Sequence, residues 1–322
     1  IEGKAYFALD PAHPNNRGIT DMELAPREAD GRVHFSADLR ILRPVGGGSR
    51  KLLLDVVNRG NPVAIRGTDT AVGRVPEEDS AAWPLQRGYT VVSCGWQHNV
   101  PPGTERLALS APEARQNGRP LSGKVRSVQQ LNTRTTVVGL ADEPSGAQHT
   151  AYPVADLDDP SATLTERDYP LGPGRQIARD RWRFARLDGE TPVPDRTHVY
   201  FADGFTPGKT YEIVYLAEGA PLTGLGFAAL RDVVSFLRFA GAGAGNPCAG
   251  TLDYALAFGA SQTGRLIRDM LYQGFCEDED GRLVLDGLLA NIAGPIRTEA
   301  NWRFGQPSFI GADSPGFGFP FT

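Results

Sequence analysis

The stretch Phe258-Gly259-Ala260-Ser261-Gln262-Thr263-Gly264-Arg265 constrains the fold of this chain more than any other. Tyr254, Leu256 and Phe258 alternate with Ala255 and Ala257, which predicts a buried strand running into Gly259. From Gln262 onward Leu266, Ile267, Met270 and Leu271 recur at helical spacing, and Gly274 stands where a C-terminal cap belongs. A serine held between strand and helix, with glycines where side chains would collide, has the geometry of a nucleophile elbow. Such a turn is strained and lifts the Ser261 oxygen clear of the backbone. The N–H of the next residue, Gln262, then faces the oxyanion that forms during acyl transfer. The usual pattern is G-x-S-x-G, whereas here Thr263 takes the last position and Gly264 follows it.

Composition narrows the class. With 322 residues, 40% hydrophobic and 22% charged, the chain is long enough for one large α/β domain or two ordinary ones, and can bury a core. A net charge of −5 leaves no basic footprint for nucleic acid. No apolar run reaches the roughly 18–20 residues of a membrane-spanning helix. Three cysteines, Cys94, Cys248 and Cys276, lack C-x-x-C spacing, so neither a zinc site nor a disulfide framework is expected, and no cofactor is. Gly241–Gly245 follows a helical pattern instead of joining a strand to a helix, which argues against a dinucleotide loop. The first residues show no charged n-region or apolar h-region, so a signal peptide is expected to be either absent or already removed, and the compartment stays open.

Along the sequence, residues 1–102 are read as the N-terminal part of the sheet, the first forty or so as strands and turns. Val33–Leu39 alternates cleanly. Leu52–Val57 and Tyr89–Trp96 are compact apolar runs of the kind found in strands buried on both faces of a parallel sheet. Polar turns, Asn58–Pro62 and Gln97–Asn99, follow these two runs. Between 103 and 222 helical periodicity vanishes, and short β-rich runs with frequent aromatics predict a β-rich insertion or lid. Residues 223–322 carry a helix over Gly226–Ala240, the Ser261 turn, a strand within Leu283–Gly294, and a tail rich in Trp302, Phe304, Phe309, Phe317, Phe319 and Phe321. In an open α/β sheet the active site lies above the C-terminal ends of the strands. There the Asn58–Pro62 turn is placed to offer a second oxyanion N–H, from Arg59, Gly60 or Asn61.

Several motifs together, Asp10-Pro11 with Asn15, Leu24-Ala25-Pro26-Arg27, Asn58-Arg59-Gly60-Asn61, Gly95-Trp96-Gln97, Gly259 to Arg265 and Leu285-Asp286-Gly287, resemble those of the large bacterial "alpha/beta hydrolase domain" family. The resemblance implies a mostly parallel α/β-hydrolase-like sheet with flanking helices and a β-rich insertion. In that fold an acid and a histidine follow the serine, yet no histidine lies beyond Ser261 among His13, His34, His98, His149 and His198. The expectation is therefore a chain truncated before its last strands, with further polypeptide completing the fold. Within the chain, His98 stands at a strand's C-terminal end, Glu299 lies beyond the strand after the turn, and Asp286 precedes that strand at the wrong edge. The reading is a serine hydrolase acting on a small-molecule carboxylic ester through an acyl-enzyme. The alternative is an inactive relative that binds a small molecule or carbohydrate through Trp96, Trp302 and the Phe-rich tail.

Overall fold

A computed structural model describes residues 1–64, 83–101, 105–141 and 149–308. They form two compact units: Ile1–Pro112 together with Leu222–Pro307, and Glu113–Pro221.

The first unit is built on one sheet with the order β1 (Glu2–Leu9), β2 (Val33–Leu42), β4 (Thr90–Cys94), β3 (Lys51–Val56), β12 (Tyr254–Ala260) and β13 (Gly287–Asn291). β4, β3, β12 and β13 run parallel, whereas β1 pairs antiparallel with β2, and β2 antiparallel with β4. The sheet is thus mixed, not mostly parallel as the apolar runs suggest. Burial explains the division. All of β4 is buried and β3 is buried beyond Lys51, as interior parallel strands require, while β2 hides Val33, Phe35 and Ala37 and turns His34 outward. An apolar/polar alternation suits an antiparallel strand with one wetter face.

Helix α1 (Leu225–Phe239) presents Phe227, Leu230, Val233, Val234 and Leu237 as one buried face. Each such side chain contributes about 1.5–3 kcal/mol relative to exposure. Gly226 lets the helix approach closely, because a Cβ there would overlap the Trp96 carbonyl. Arg231 is charged yet fully buried. Its guanidinium pairs with Asp232 and donates to the Asn15 carbonyl and to Asn16 Oδ1, so burial is compensated. Helix α2 (Gln262–Tyr272) follows β12 directly and ends at Gly274, which has φ 83°. There the Phe275 N–H closes on the Met270 carbonyl, the bond of a left-handed C-terminal cap.

The strand expected within Leu283–Gly294 is shorter than the apolar run. Val284 donates instead to the Cys276 carbonyl, and pairing with β12 begins only at Gly287. Among the described residues β12 is the one neighbour of β13, whose Leu289 is 62% exposed; Ile292, just beyond, is 75% exposed.

The second unit is β-rich and has no α-helix among its described residues. One antiparallel sheet has the order β8 (Gly174–Ile177), β7 (Thr163–Arg167), β11 (Thr210–Glu218), β5 (Ser122–Gln130), and another β9 (Trp182–Asp188), β10 (Thr191–Phe205), β6 (Thr135–Gly139). Trp182, Phe184, Phe201, Phe205, Tyr211 and Tyr215 fill its core through edge-to-face contacts. Phe309, Phe317, Phe319 and Phe321 of the aromatic tail lie outside the described residues.

Candidate active site

Ser261 sits at the junction of β12 and α2 with φ 55° and ψ −111°, a conformation an L-residue adopts only when its surroundings enforce it. Its N–H donates to the Asn291 carbonyl of β13 at 3.0 Å, and its carbonyl accepts the Arg265 N–H at 3.0 Å. The turn is therefore pinned at both ends. Two glycines make room for it. A Cβ at Gly259 would overlap the Thr263 carbonyl, and one at Gly264 would lie 2.7 Å from the Asn291 oxygen. Thr263 does not disturb this packing; its hydroxyl accepts from Ala260 N–H at 2.9 Å and lies 3.2 Å from the Ala260 carbonyl. The displaced glycine thus serves the close approach to β13, and the threonine stitches the strand end to the helix.

The turn after β3 is a second strained element. Arg59 has φ 48° and Gly60 φ 82°. Asn58 and Asn61 exchange backbone hydrogen bonds at 2.8 and 2.9 Å, so the Asn61 N–H is spent within the turn and points at no ligand. Arg59 and Gly60 remain as the turn's candidate donors. A Cβ on Gly60 would lie 2.8 Å from both Arg106 Cβ and Val100 Cγ1, so the position needs glycine twice over. Asn58 Nδ2 reaches the Ala260 carbonyl at 3.2 Å and ties this turn to the Ser261 junction. Ile292, just past β13, also has positive φ, 41°. Three adjacent parallel strands, β3, β12 and β13, therefore each lead into a non-glycine residue held in the left-handed region. Strain of this kind gathers at functional sites.

Gln262 is fully buried, and its side-chain amide donates to Gln97 Oε1 and to the Pro307 carbonyl, both at 3.1 Å. Gln97 in turn donates to Asn99 Oδ1 at 2.6 Å. The loop after β4 is thereby bound beneath the start of α2, and half-buried His98 lies within it, at the same edge of the sheet as Ser261. The other histidines lie elsewhere: His13 accepts from Asn15, His34 pairs with Asp30, and His149 and His198 belong to the second unit. Glu299 is half-buried and accepts the Gln306 N–H at 2.8 Å. Asp286 lies at the opposite edge, as its position before β13 requires, accepting from Ala255 N–H and pairing with Arg238. Trp96 is buried, its Nε1–H bonded to the Val57 carbonyl at 2.7 Å, so it offers no stacking face to a ligand. All three cysteines are buried, and burial holds their thiols up, Cys94 to about 12, which leaves no thiolate nucleophile. Among the described residues no cluster of His, Cys, Asp or Glu is arranged to hold a metal, and no helix is long and apolar enough to cross a membrane.

Arg265 gives the site its charge. It is only 5% exposed, and burial, with Arg59 and then Arg268 nearby, draws its guanidinium down to about 10. One turn further along α2, burial raises the Asp269 carboxyl despite its pairing with Arg297. Asn58, Gln97 and Arg265 each stand in a motif legible in the sequence, but the motif assigns none of the three side chains a role of its own.

A family model described as "Alpha/beta hydrolase domain" matches residues 173–310. Searches of curated proteins and of solved structures gave no match. The matched residues carry β12, the Ser261 junction and α2, so this part of the chain is similar to that family.

Proposed function

We propose that the protein is a serine hydrolase that cleaves carboxylic esters through an acyl-enzyme on Ser261. The observation that carries this reading is the positive-φ serine between β12 and α2, pinned to β13 and packed through two glycines. Ser261 Oγ attacks the ester carbonyl carbon as its proton passes to a base. The carbonyl oxygen becomes an oxyanion that accepts from the N–H of Gln262 and from Arg59 or Gly60 on the β3 turn. Collapse breaks the bond to the alkoxy oxygen, which leaves with the proton as an alcohol. Water then adds to the acyl-enzyme, releasing the carboxylic acid and restoring Ser261.

For the base, His98 is the histidine that shares an edge of the sheet with Ser261, and Glu299 is the acid that follows β13. The exposed Leu289 on β13 and Ile292 beyond it also suit cover by further polypeptide, which is a second place for a histidine and an acid. His98→Asn separates the two: loss of hydrolysis assigns the base to the β4 loop, and retention assigns it to the covering polypeptide. The hydrolase reading itself is tested with a panel of 4-nitrophenyl esters against wild type and Ser261→Ala. Turnover confined to the wild type supports it, and equal turnover by both overturns it.

A further inference from the structure

Charge beside Ser261 is left uncompensated. Arg265 Nη1 reaches the Ala293 carbonyl at 3.3 Å, but Nη2 is buried with no partner among the described residues. A buried guanidinium without a counter-ion is costly, and proteins keep one where an anion completes it. The neighbours sharpen the point. Both charged groups that act on Arg265 are cations, Arg59 and Arg268, and Arg268 is committed to the carbonyls of Gly294 and Ile296. Asp269, the acid on the same helix, is engaged by Arg297 and Gln273.

Position says what this charge is for. Arg265 lies one helical turn after Ser261, its N–H bonded to the Ser261 carbonyl, and a helical side chain leans back toward its own N-terminus. Its guanidinium therefore lies on the Ser261 side of α2. Arg59 stands half-buried on the β3 turn, which Asn58 ties to Ala260. Arg59 Nη1 donates to Asn58 Oδ1 at 3.1 Å, which holds that guanidinium on the turn. The planar forks of two arginines match the two oxygens of a carboxylate better than any neutral group.

We propose that Arg265, with Arg59 beside it, forms a subsite for a carboxylate carried by the substrate, so that the preferred esters are half-esters of dicarboxylic acids. This rests on the hydrolase reading above for the chemistry, though not for the binding of the anion. The test uses the 4-nitrophenyl half-ester of adipic acid and its methyl-capped counterpart, which differ in one charge. The chain length avoids the rapid self-cleavage of shorter half-esters. The expected ratio of kcat/KM for the anionic over the capped ester is at least tenfold in wild type. In Arg265→Met that ratio falls at least tenfold, through KM for the anionic ester; in Arg265→Lys it stays intermediate; in Arg59→Met it also falls. A purely structural Arg265 would lower both esters together and leave the ratio where it was, and that result overturns the proposal. Calorimetry of adipate binding to Ser261→Ala, alone and combined with Arg265→Met, supplies a readout free of turnover. Adipate binding lost with Arg265→Met but no ester cleaved by wild type would sink the hydrolase reading and keep the subsite. Both esters cleaved equally and no adipate bound would do the reverse. Melting curves for each variant identify one that fails to fold, in which case Arg265→Lys and Arg59→Met decide.

Discussion

The turns after β12 and after β3 solve one problem in two ways. Each ends a buried parallel strand on a non-glycine residue in the left-handed region, Ser261 at φ 55° and Arg59 at φ 48°. The Ser261 turn is held by backbone closeness: glycines at 259 and 264 let helix and strands approach within distances no Cβ permits. The β3 turn is held by side chains and its own hydrogen bonds, through Asn58 to Ala260, Arg106 to the Arg59 carbonyl and the paired Asn58 and Asn61. Close approach matters in both, since Gly60 too leaves no room for a Cβ, but only the Ser261 turn packs glycines against backbone on two sides.

Breaking the β3 turn is expected to have the larger effect on turnover. Gly60→Ala puts a Cβ 2.8 Å from Arg106 and Val100 at a φ of 82°, so the turn must move. Displacing one oxyanion donor costs on the order of 10²–10³ in kcat. A Gly60→Ala protein with normal kcat would remove the β3 turn from the chemistry and leave Ser261 standing. Next comes Gly264→Ala, whose Cβ pushes against the Asn291 oxygen. A shift of this kind costs about 10²-fold in activity and about 1–3 kcal/mol in stability, read from esterase assays and urea unfolding. If it lost stability but kept activity, the claim that packing aims the serine would fail. Thr263→Ala removes the hydroxyl that links the Ala260 backbone, for about 1 kcal/mol of stability and a small change in activity.

The smallest effect on Ser261 belongs to a change in the other unit. Burial pushes the Glu166 carboxyl up, but hydrogen bonds from Arg175, Lys209 and Tyr211 outweigh it and hold it at about 2, below its ordinary 4.5. The stability this adds is present above about pH 4.5 and is lost as pH falls toward 2. Glu166→Gln should therefore melt earlier than wild type at neutral pH, with the gap closing on acidification, and turnover should be unaltered. A gap that widens at low pH would reverse the sign of this account.

Much of the Ser261 junction was legible in the sequence, because strand alternation, two glycines and a helical stripe are local patterns that name their own geometry. The parallel strands β3 and β4 were legible for the same reason. What stayed hidden depended on partners far along the chain. The antiparallel turn of β1 and β2 is set by which face is wet, the shortening of β13 by Val284 binding Cys276, and the burial of Arg231 by Asn15 and Asn16, more than 200 residues away. The closure of Asn61 on Asn58 was invisible too, since composition marks a turn without saying which of its N–H groups is spent. Position 263 shows the limit from the other side. The pattern wants glycine there, and only the packing shows that Gly264 takes up that duty.

The central claim is that Ser261 is the nucleophile, and labelling with a fluorophosphonate probe tests it most directly. The probe's phosphorus forms a bond to an activated serine oxygen and loses fluoride. Mass spectrometry of the digested adduct should place the label on the peptide carrying Ser261, and Ser261→Ala should take none. Label on another residue, or equal labelling of the alanine variant, would contradict the account.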